Sequence, residues 1–170
     1  NAFFTPKILA GKRILITAGA TLEMIDPVRA ITNLSSGKMG YAIAEAATNM
    51  GAEVTLVSGA TLLNPPKGIK NISVKSAAAM YQAVMQHVGK QDIFIGVAAV
   101  ADYSPSKPST QKIKKSEPSL SLELIKNKDI LADVASLPNA PFCVGFAAET
   151  QDLIHLAEEK RLRKKLPLLV

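Results

Sequence analysis

A strand–helix–strand pattern runs through RILITA (residues 13–18), SSGKMGYAIAEAATNMG (35–51) and EVTLVS (53–58). The first and last stretches are short and largely apolar and end in small residues, which is typical of strands buried in a parallel sheet. The middle stretch has a serine as a candidate N-cap and Gly51 as a stop. Its apolar residues at helical spacing are Met39, Ile43, Ala46, Ala47 and Met50. The pattern predicts two parallel strands joined by a helix.

The rest of the chain repeats this alternation of strands and helices. Further strands are predicted at 71–76, 92–100, 119–125, 142–147 and from 166 onward, and further helices at 76–88, 128–137 and 152–164. The run 92–100 is continuously apolar, which predicts a central strand covered on both faces, whereas 71–76 suits an edge strand. The chain is therefore predicted to be an α/β protein, with a Rossmann-like, doubly wound, mostly parallel sheet and helices on both faces. Ligands of such sheets bind at the carboxyl ends of the strands, so the loops after residues 18, 58, 100 and 147 should share one rim.

The composition fits one domain in a reducing compartment. The chain has 170 residues, of which 48% are hydrophobic, and its length suits a single well-packed domain. Its one cysteine, Cys143, cannot form an internal disulfide, which excludes a disulfide-stapled secreted scaffold. The sequence shows neither an apolar run of membrane-spanning length nor a signal peptide. We therefore expect a soluble, cytoplasmic protein with no membrane partner.

The net charge of +6 is concentrated in two basic clusters. They are Lys107, Lys112, Lys114 and Lys115 in one loop, and Lys160, Arg161, Arg163, Lys164 and Lys165 near the end of the chain. A duplex calls for a long basic face, whereas two compact clusters on a nearly neutral body suit a polyphosphate or another small anion. We expect no nucleic-acid partner; solvated lysine-rich loops are the alternative for each cluster.

The loop after the first strand is rich in residues that bind phosphate. TAGAT (17–21) is not followed by G-x-G-x-x-G, which disfavours a nicotinamide cofactor. Exposed backbone N–H groups at a helix start, small hydroxyls and a close glycine together form a phosphate site. The candidates are Gly19, Thr21, Asn33, Ser35, Ser36 and Gly37. The alternative is structural: helix caps, helix–strand packing, and a loop salt bridge between Asp26 and Arg29.

Two charged residues follow the predicted central strand. Asp102 stands at its carboxyl end, where a carboxylate can receive ribose hydroxyls or hold Mg²⁺. Lys112 lies in the Pro-, Ser- and Lys-rich loop beyond it and can neutralise charge that develops on a transferred phosphate. A solvated loop lysine is the alternative for Lys112.

A third group of candidates lies near the end of the chain. Phe146 follows a buried strand and can stack on a base, although core packing is the better explanation of this residue taken alone. Lys160 and Lys164 are four residues apart on one helix face, where both can meet a triphosphate. Cys143 lies in an apolar strand and is predicted to be a buried, inert thiol.

Five motifs in this order resemble one family: TAGATLEMIDPVRAITNLSSGKMG (17–40), AAVADY (98–103), KIKK (112–115), LIKNKDIL (124–131) and VGFAAET (144–150). It is the phosphopantothenoylcysteine synthetase, or phosphopantothenate–cysteine ligase, family of bacterial coenzyme A biosynthesis. The resemblance runs from 11 to 170 and implies a synthetase domain there, with residues 1–10 as an interdomain junction and a C-terminal part absent. It also implies a homodimer or a higher oligomer, and a fused phosphopantothenoylcysteine decarboxylase, which would carry the FMN.

The resemblance implies a two-step ligation of 4′-phosphopantothenate and L-cysteine. CTP with Mg²⁺ would activate the carboxylate as an acyl-cytidylate, and the cysteine amine would then displace CMP. By motif position, Lys112 resembles the lysine of the activation step and Asn33 the asparagine that serves the acyl-cytidylate and its attack by cysteine. The residues that match the CTP-binding set are Gly96, Val97, Ala98, Asp102, Lys112, Lys128, Asp129, Ile130, Leu131, Phe146, Lys160 and Lys164.

Other functions stay open on the residues alone. A non-catalytic or regulatory nucleotide-binding domain would hold a phosphorylated ligand on the same rim, and turnover would separate it from a ligase. The absence of the glycine-rich fingerprint disfavours a reductase that uses NAD(P). The residues do not decide between CTP and ATP. The chain also has Pro167 where the family more often has Asp.

Overall fold

The computed structural model describes residues 6–114, 118–147 and 153–170. The strands of its main sheet are β1 (Arg13–Ala18), β4 (Glu53–Ser58), β5 (Lys70–Ser73), β6 (Ile93–Gly96), β9 (Phe142–Gly145) and β10 (Leu168–Leu169). They lie in the order β10-β9-β6-β1-β4-β5, and every neighbouring pair is parallel. Two antiparallel pairs accompany the sheet: β2 (Leu22–Asp26) with β3 (Arg29–Thr32), and β7 (Tyr103–Pro105) with β8 (Leu124–Lys126).

Helices cover both faces of the sheet. They are α1 (Lys38–Asn49), α2 (Ala77–His87), α3 (Ile130–Ala135) and α4 (Leu153–Arg163). Successive side chains of a strand point to opposite faces, so Ile14 and Ile16 join the apolar cluster under α1, while Leu15 joins the cluster under α2 and α3. The predicted α/β class and doubly wound, Rossmann-like architecture are confirmed.

The strands of the main sheet agree closely with the apolar runs of the sequence. β1 and β4 have the predicted bounds, and β5 is the edge strand expected near residue 71. β6 is central, as predicted for the run 92–100, but it ends at Gly96. Just beyond it, the Val97 N–H is shared between the carbonyl and the hydroxyl oxygen of Thr17, at 3.3 and 3.2 Å. The Ala98 N–H donates to the Thr17 hydroxyl at 3.3 Å, so a side chain takes over from the strand pairing here.

Two antiparallel pairs depart from the predictions. The strand predicted at 119–125 is reduced to β8, which pairs with β7 outside the main sheet and is exposed along its length. The β2–β3 hairpin was not predicted, because only two of its residues are buried and its pattern does not read as a core strand. Asp26 and Pro27 at its turn are the signal that marks it, since Asp followed by Pro favours a turn.

Helix α1 starts and packs differently from the prediction. Its N-cap is Gly37 at φ 79°, so the expectation of a serine at the N-cap position is wrong. Ser35 and Ser36 lie just before it and accept from the Gly37 and Lys38 N–H groups instead. The buried residues are Gly40, Tyr41, Ala44 and Ala47, whereas Met39 is 57% exposed. The face is rotated because Gly40 lies directly on β1: a Cβ at Gly40 would stand 2.5 Å from the Ala18 Cβ.

This close approach predicts a loss of stability when Gly40 gains a methyl group. Gly40→Ala is expected to lower the free energy of unfolding by about 1–2 kcal/mol, because overpacking outweighs the better helix propensity of alanine. Urea denaturation measures it. Gly89→Ala is the control, since a Cβ there meets no atom within 4 Å. A Gly40→Ala protein as stable as the parent would contradict this packing.

Two further sequence predictions concern helix α4 and the residue Cys143. α4 falls within the helix predicted at 152–164, of which Asp152 lies outside the described residues. Cys143 is 1% exposed, and burial raises the pKa of its thiol to about 11, so it is the inert thiol expected. No helix in the described ranges has the length and apolar character needed to cross a membrane.

Candidate active site

The carboxyl ends of three adjacent strands form one rim. The loop after β1 is hydrogen-bonded to the loops after β4 and β6: Ala60 N–H donates to Ala20 O at 2.7 Å, and Ala99 N–H donates to Gly19 O at 2.9 Å. Gly59 permits this contact, because a Cβ at that position would lie 2.3 Å from Ala20 O. This confirms the expected shared rim for the loops that follow β1, β4 and β6, whereas the loop after residue 147 lies outside the described residues.

A cleft of about 490 Å³, here called the main cleft, opens on this rim. It brings together residues from six segments of the chain that are far apart in sequence. They are Thr17, Asn33, Phe94, Gly96, Ala98, Ala99, Val100, Ala101, Asp102, Lys126, Asn127, Lys128, Asp129, Ile130, Leu131, Phe146, Lys160 and Lys164. This set includes every residue predicted to bind CTP except Val97 and Lys112. Its volume lies in the range of small-molecule sites.

Side-chain hydrogen bonds hold the floor and one wall of the main cleft. Thr17 accepts from the Val97 and Ala98 backbone N–H groups, and Asn33 Nδ2 donates to Ala99 O at 3.1 Å. Both contacts fix the backbone of the segment that follows β6. Asn33 Nδ2 carries two hydrogens, so one remains for a ligand in the cleft.

Lysine side chains also line the main cleft. Lys164 forms an ion pair with Asp129, at 2.7 Å between Nζ and Oδ2, and its side chain is only 16% exposed. Asp129 also caps α3 by accepting from the Ala132 N–H. Burial by itself would raise the pKa of the Asp129 carboxyl, but the hydrogen bonds from Lys164 and Ala132 hold it below its ordinary value. Lys128 lies over the Tyr81 ring, 4.5 Å from its centre.

Asn127 joins two walls of the main cleft and was not predicted. Its backbone N–H donates to Asp102 O at 2.8 Å, and its Nδ2 donates to Ala101 O at 2.8 Å. Its Oδ1 accepts from the Ser104 hydroxyl at 2.9 Å. Asp102 is thereby tied to the segment that carries Lys128. The sequence signal was the motif LIKNKDIL itself, in which the asparagine is central.

A second cleft, here called the serine cleft, lies at the start of α1 and has a volume of about 320 Å³. It is lined by Gly19, Leu34, Ser35, Ser36, Gly37, Lys38, Met39, Gly40 and Val97. Four of the six residues predicted to bind phosphate are in this set. Asn33 lines the main cleft instead, and so the two clefts are adjacent along the chain.

Thr21 lies in neither cleft. Its side chain is fully buried, and its Oγ1 accepts from the Ala101 backbone N–H at 3.0 Å. It therefore orders the loops behind the rim.

Lys112 lies outside the residues that line the main cleft and is exposed. Its neighbour Ile113 is hydrogen-bonded to the β2–β3 hairpin through Asp26 and Arg29. The salt bridge between Asp26 and Arg29 that the sequence offered as an alternative is present. The last lysine of the KIKK motif, Lys115, lies outside the described residues, as do residues 148–150 of the motif VGFAAET.

The carboxylates of the main cleft suit a cation that arrives with a polyphosphate. Among residues 6–114, 118–147 and 153–170, no three His, Cys, Asp or Glu side chains cluster as a metal site. Asp102 is exposed in the cleft, whereas Asp129 is paired with Lys164. Mg²⁺ commonly binds one or two carboxylates plus substrate phosphates, and this donor set fits that mode.

The fold and the site define the class of this protein: a Rossmann-like α/β domain with a cation-lined ligand cleft at the carboxyl rim of its sheet. Within that class, residues 9–170 match the family described as the DNA/pantothenate metabolism flavoprotein C-terminal domain. The chain belongs to that family.

Known proteins resemble the chain over nearly all of its length. It is 55% identical to the coenzyme A biosynthesis bifunctional protein CoaBC of Vibrio cholerae, covering 98% of the chain and 43% of that protein. It thus spans less than half of this relative. A crystal structure of the C-terminal domain of a CoaBC protein is 48% identical, with a TM-score of 0.84 over 95% of this chain and 77% of that one. A Cab2 variant in complex with phosphopantothenate-cysteine, 16% identical, shares the fold, with a TM-score of 0.77 over 93% of this chain and 71% of that one.

Proposed function

We propose that this domain is a CTP-dependent phosphopantothenate–cysteine ligase of coenzyme A biosynthesis. The observation that carries the proposal is the main cleft, which gathers the distant motifs that the resemblance assigns to CTP. The 55% identity to a bifunctional protein of coenzyme A biosynthesis supports the same pathway. The fold also accommodates phosphopantothenate-cysteine in Cab2.

The main cleft supplies contacts for each part of CTP. The backbone of Gly96 and Ala98 would meet the base and Phe146 would stack on it. Asp102 would receive the ribose hydroxyls, and the cations Lys160 and Lys164 would face the triphosphate. Mg²⁺ would offset the triphosphate charge and would be held chiefly by the phosphate oxygens.

The neighbouring serine cleft would take the phosphate of 4′-phosphopantothenate. Ser35 and Ser36 hold the backbone at the start of α1 by accepting from the N–H groups of Gly37 and Lys38 at 3.3 and 3.4 Å. The first turn of α1 contains no acidic residue, so the positive end of the helix faces this cleft without a carboxylate of its own turn.

The two chemical steps make separate demands. In the first, a carboxylate oxygen of phosphopantothenate bonds to the α-phosphorus of CTP, and the bond to pyrophosphate breaks; Lys112 would neutralise the charge that develops. In the second, the cysteine amine bonds to the acyl carbon, its proton is lost, and the carbon–oxygen bond to CMP breaks. Asn33 would hold the acyl-cytidylate and donate to the oxyanion through its second Nδ2 hydrogen.

Self-association and the fused decarboxylase belong to the same proposal. Apolar side chains are exposed on the two antiparallel pairs: Met24, Val28, Tyr103, Leu124 and Ile125 are 39–61% exposed. Such exposure supports a homodimer in which these two antiparallel pairs contact the partner subunit. Light scattering on the full-length gene product measures the mass of the assembly.

The decisive assay follows pyrophosphate release from 4′-phosphopantothenate and Mg²⁺ with CTP or ATP, with and without cysteine. We expect release with CTP, and CMP and an amide once cysteine is added. Pyrophosphate release with ATP but not with CTP would show that ATP is the activating nucleotide. Tight CTP binding without turnover, by this chain and by the full-length gene product, would show a nucleotide-binding domain instead.

Lys164 is expected to contribute to triphosphate affinity. Lys164→Met removes a cation from the main cleft and should weaken CTP binding by roughly tenfold, since a charged hydrogen bond is worth about 1.5–3 kcal/mol. Lys165→Met is the matched control, because Lys165 is exposed and outside the lining of the cleft. Isothermal titration calorimetry measures both, and equal affinities would contradict this contact.

A further inference from the structure

The buried carboxylate of Asp26 gathers more hydrogen bonds than the turn it stands in requires. Oδ1 accepts from the backbone N–H groups of Val28 and Arg29, both at 2.9 Å, as an Asp that starts a turn commonly does. Oδ2 accepts from the Arg29 guanidinium and from the backbone N–H of Ile113, the latter at 3.2 Å. Ile113 lies 87 residues further along the chain.

Arg29 completes the connection from the other side. Its Nη2 donates both to Asp26 and, at 3.0 Å, to Ile113 O. The peptide groups of Ile113 are thus bound through both the N–H and the carbonyl. We call Asp26, Arg29 and the Ile113 backbone the Asp26 clamp. The Asp26 side chain has no exposed surface, and the Arg29 guanidinium beside it holds the pKa of its carboxyl well below the ordinary range.

A second contact fixes the same loop to the same hairpin. Ser109 N–H donates to Ile25 O at 2.9 Å, three positions before Lys112. Lys112 therefore stands between two points that are attached to the β2–β3 hairpin, while its own side chain is exposed. Because consecutive Cα atoms are about 3.8 Å apart, the backbone of Lys112 cannot move far while the clamp holds.

We propose that Asp26 is a positioning residue for Lys112: it fixes the backbone of Ile113 and thereby limits where the Lys112 ammonium lies during activation of the carboxylate. The inference rests on the proposed ligase function and extends it to the β2–β3 hairpin. The hairpin itself lines neither cleft; Asn33, the residue that follows it, lines the main cleft. Orientation of a charged group is a large contribution to a rate, and misplacement by about 1 Å costs on the order of a hundredfold.

Two variants open the clamp in different ways. Asp26→Asn keeps an oxygen that can accept within the turn, but its amide nitrogen cannot accept from Arg29 or Ile113. Ile113→Pro removes the donor on the loop and leaves the buried carboxylate in place. Thr110→Pro, in the same loop but outside the clamp, is the control for the proline.

Asp92→Asn is the matched control for the carboxylate. Asp92 also accepts from a backbone N–H and a guanidinium, those of Arg13, at 2.7 and 3.4 Å. It lies at the amino ends of β1 and β6, opposite the rim. Its replacement should change neither the loop nor the rate of activation.

The test measures three quantities for each variant: hydrogen exchange of residues 109–114, CTP affinity, and pyrophosphate release at saturating substrates. For Asp26→Asn and Ile113→Pro we expect faster exchange in the loop, unchanged CTP affinity, and release slowed by about ten- to a hundredfold. In a Lys112→Gln background, Asp26→Asn should cause no further loss, since both changes act through one group.

The outcomes separate this inference from the proposed function. A parent protein that releases no pyrophosphate overturns the proposed function and this role with it, while the exchange data still report whether the clamp exists. An active parent with Asp26→Asn and Ile113→Pro at full rate overturns the positioning role alone. Additive losses in the Lys112→Gln background would do the same, because they would show that Asp26 acts on something other than Lys112.

Discussion

Lys112→Gln is expected to slow pyrophosphate release by about a hundredfold or more while CTP still binds. The reason is that Lys112 lies outside the lining of the main cleft, where the nucleotide contacts are, and is placed on a loop attached to the β2–β3 hairpin. Its ammonium would be needed only when charge develops on the α-phosphate. Rapid-quench measurement of pyrophosphate and calorimetric measurement of CTP affinity separate the two effects.

Lys114→Gln is the matched control for Lys112. Lys114 lies two residues further on in the same loop and is exposed. It should retain the parent rate. Equal losses in both variants would mean that the loop contributes only a diffuse positive field, and loss of CTP affinity in Lys112→Gln would move this lysine into ground-state binding.

Asn33→Asp is expected to separate the two half-reactions. Pyrophosphate should be released in a first burst, whereas amide formation should slow by about a hundredfold and the acyl-cytidylate should accumulate. An aspartate cannot donate to an oxyanion, and its carboxylate would face Ala99 O, with which Asn33 Nδ2 now makes a 3.1 Å hydrogen bond. Quenched-flow mass spectrometry detects the intermediate directly.

Asn64→Asp introduces the same chemical change at an exposed position in the loop after β4 and serves as the control. It should leave both steps unchanged. Equal slowing of both half-reactions in Asn33→Asp would contradict the division of labour between Asn33 and Lys112.

The sheet could be predicted because buried strands are encoded locally. β1 and β4 are short, largely apolar runs, and their ends are marked by Gly19 and Gly59. The rotation of α1 could not be predicted in this way. An apolar pattern counts Met39 as a core residue and Gly40 as a gap, whereas the close approach of α1 to Ala18 requires the glycine on the buried face.

The candidate site, too, could be predicted only in part from the sequence. Cations and glycines such as Lys164 and Gly96 stand out by residue type at strand ends, and the structure brings them into one cleft. Asn127 was missed as a site residue although it stands in the motif LIKNKDIL, because it acts through a hydrogen bond to a backbone group 26 positions away, which residue type alone does not reveal. Thr17 acts in the same way on a backbone group 81 positions away. The Asp26 clamp depends on contacts of the same kind.

The central claim is that the carboxylate is activated as an acyl-cytidylate. The most direct test uses 4′-phosphopantothenate labelled with ¹⁸O in its carboxylate, together with CTP, Mg²⁺ and cysteine, and measures the label in CMP and pyrophosphate by mass spectrometry. The account predicts one ¹⁸O atom in CMP and none in pyrophosphate, because the oxygen that attacks the α-phosphate stays with it when the amide forms. Amide formation with unlabelled CMP would contradict it.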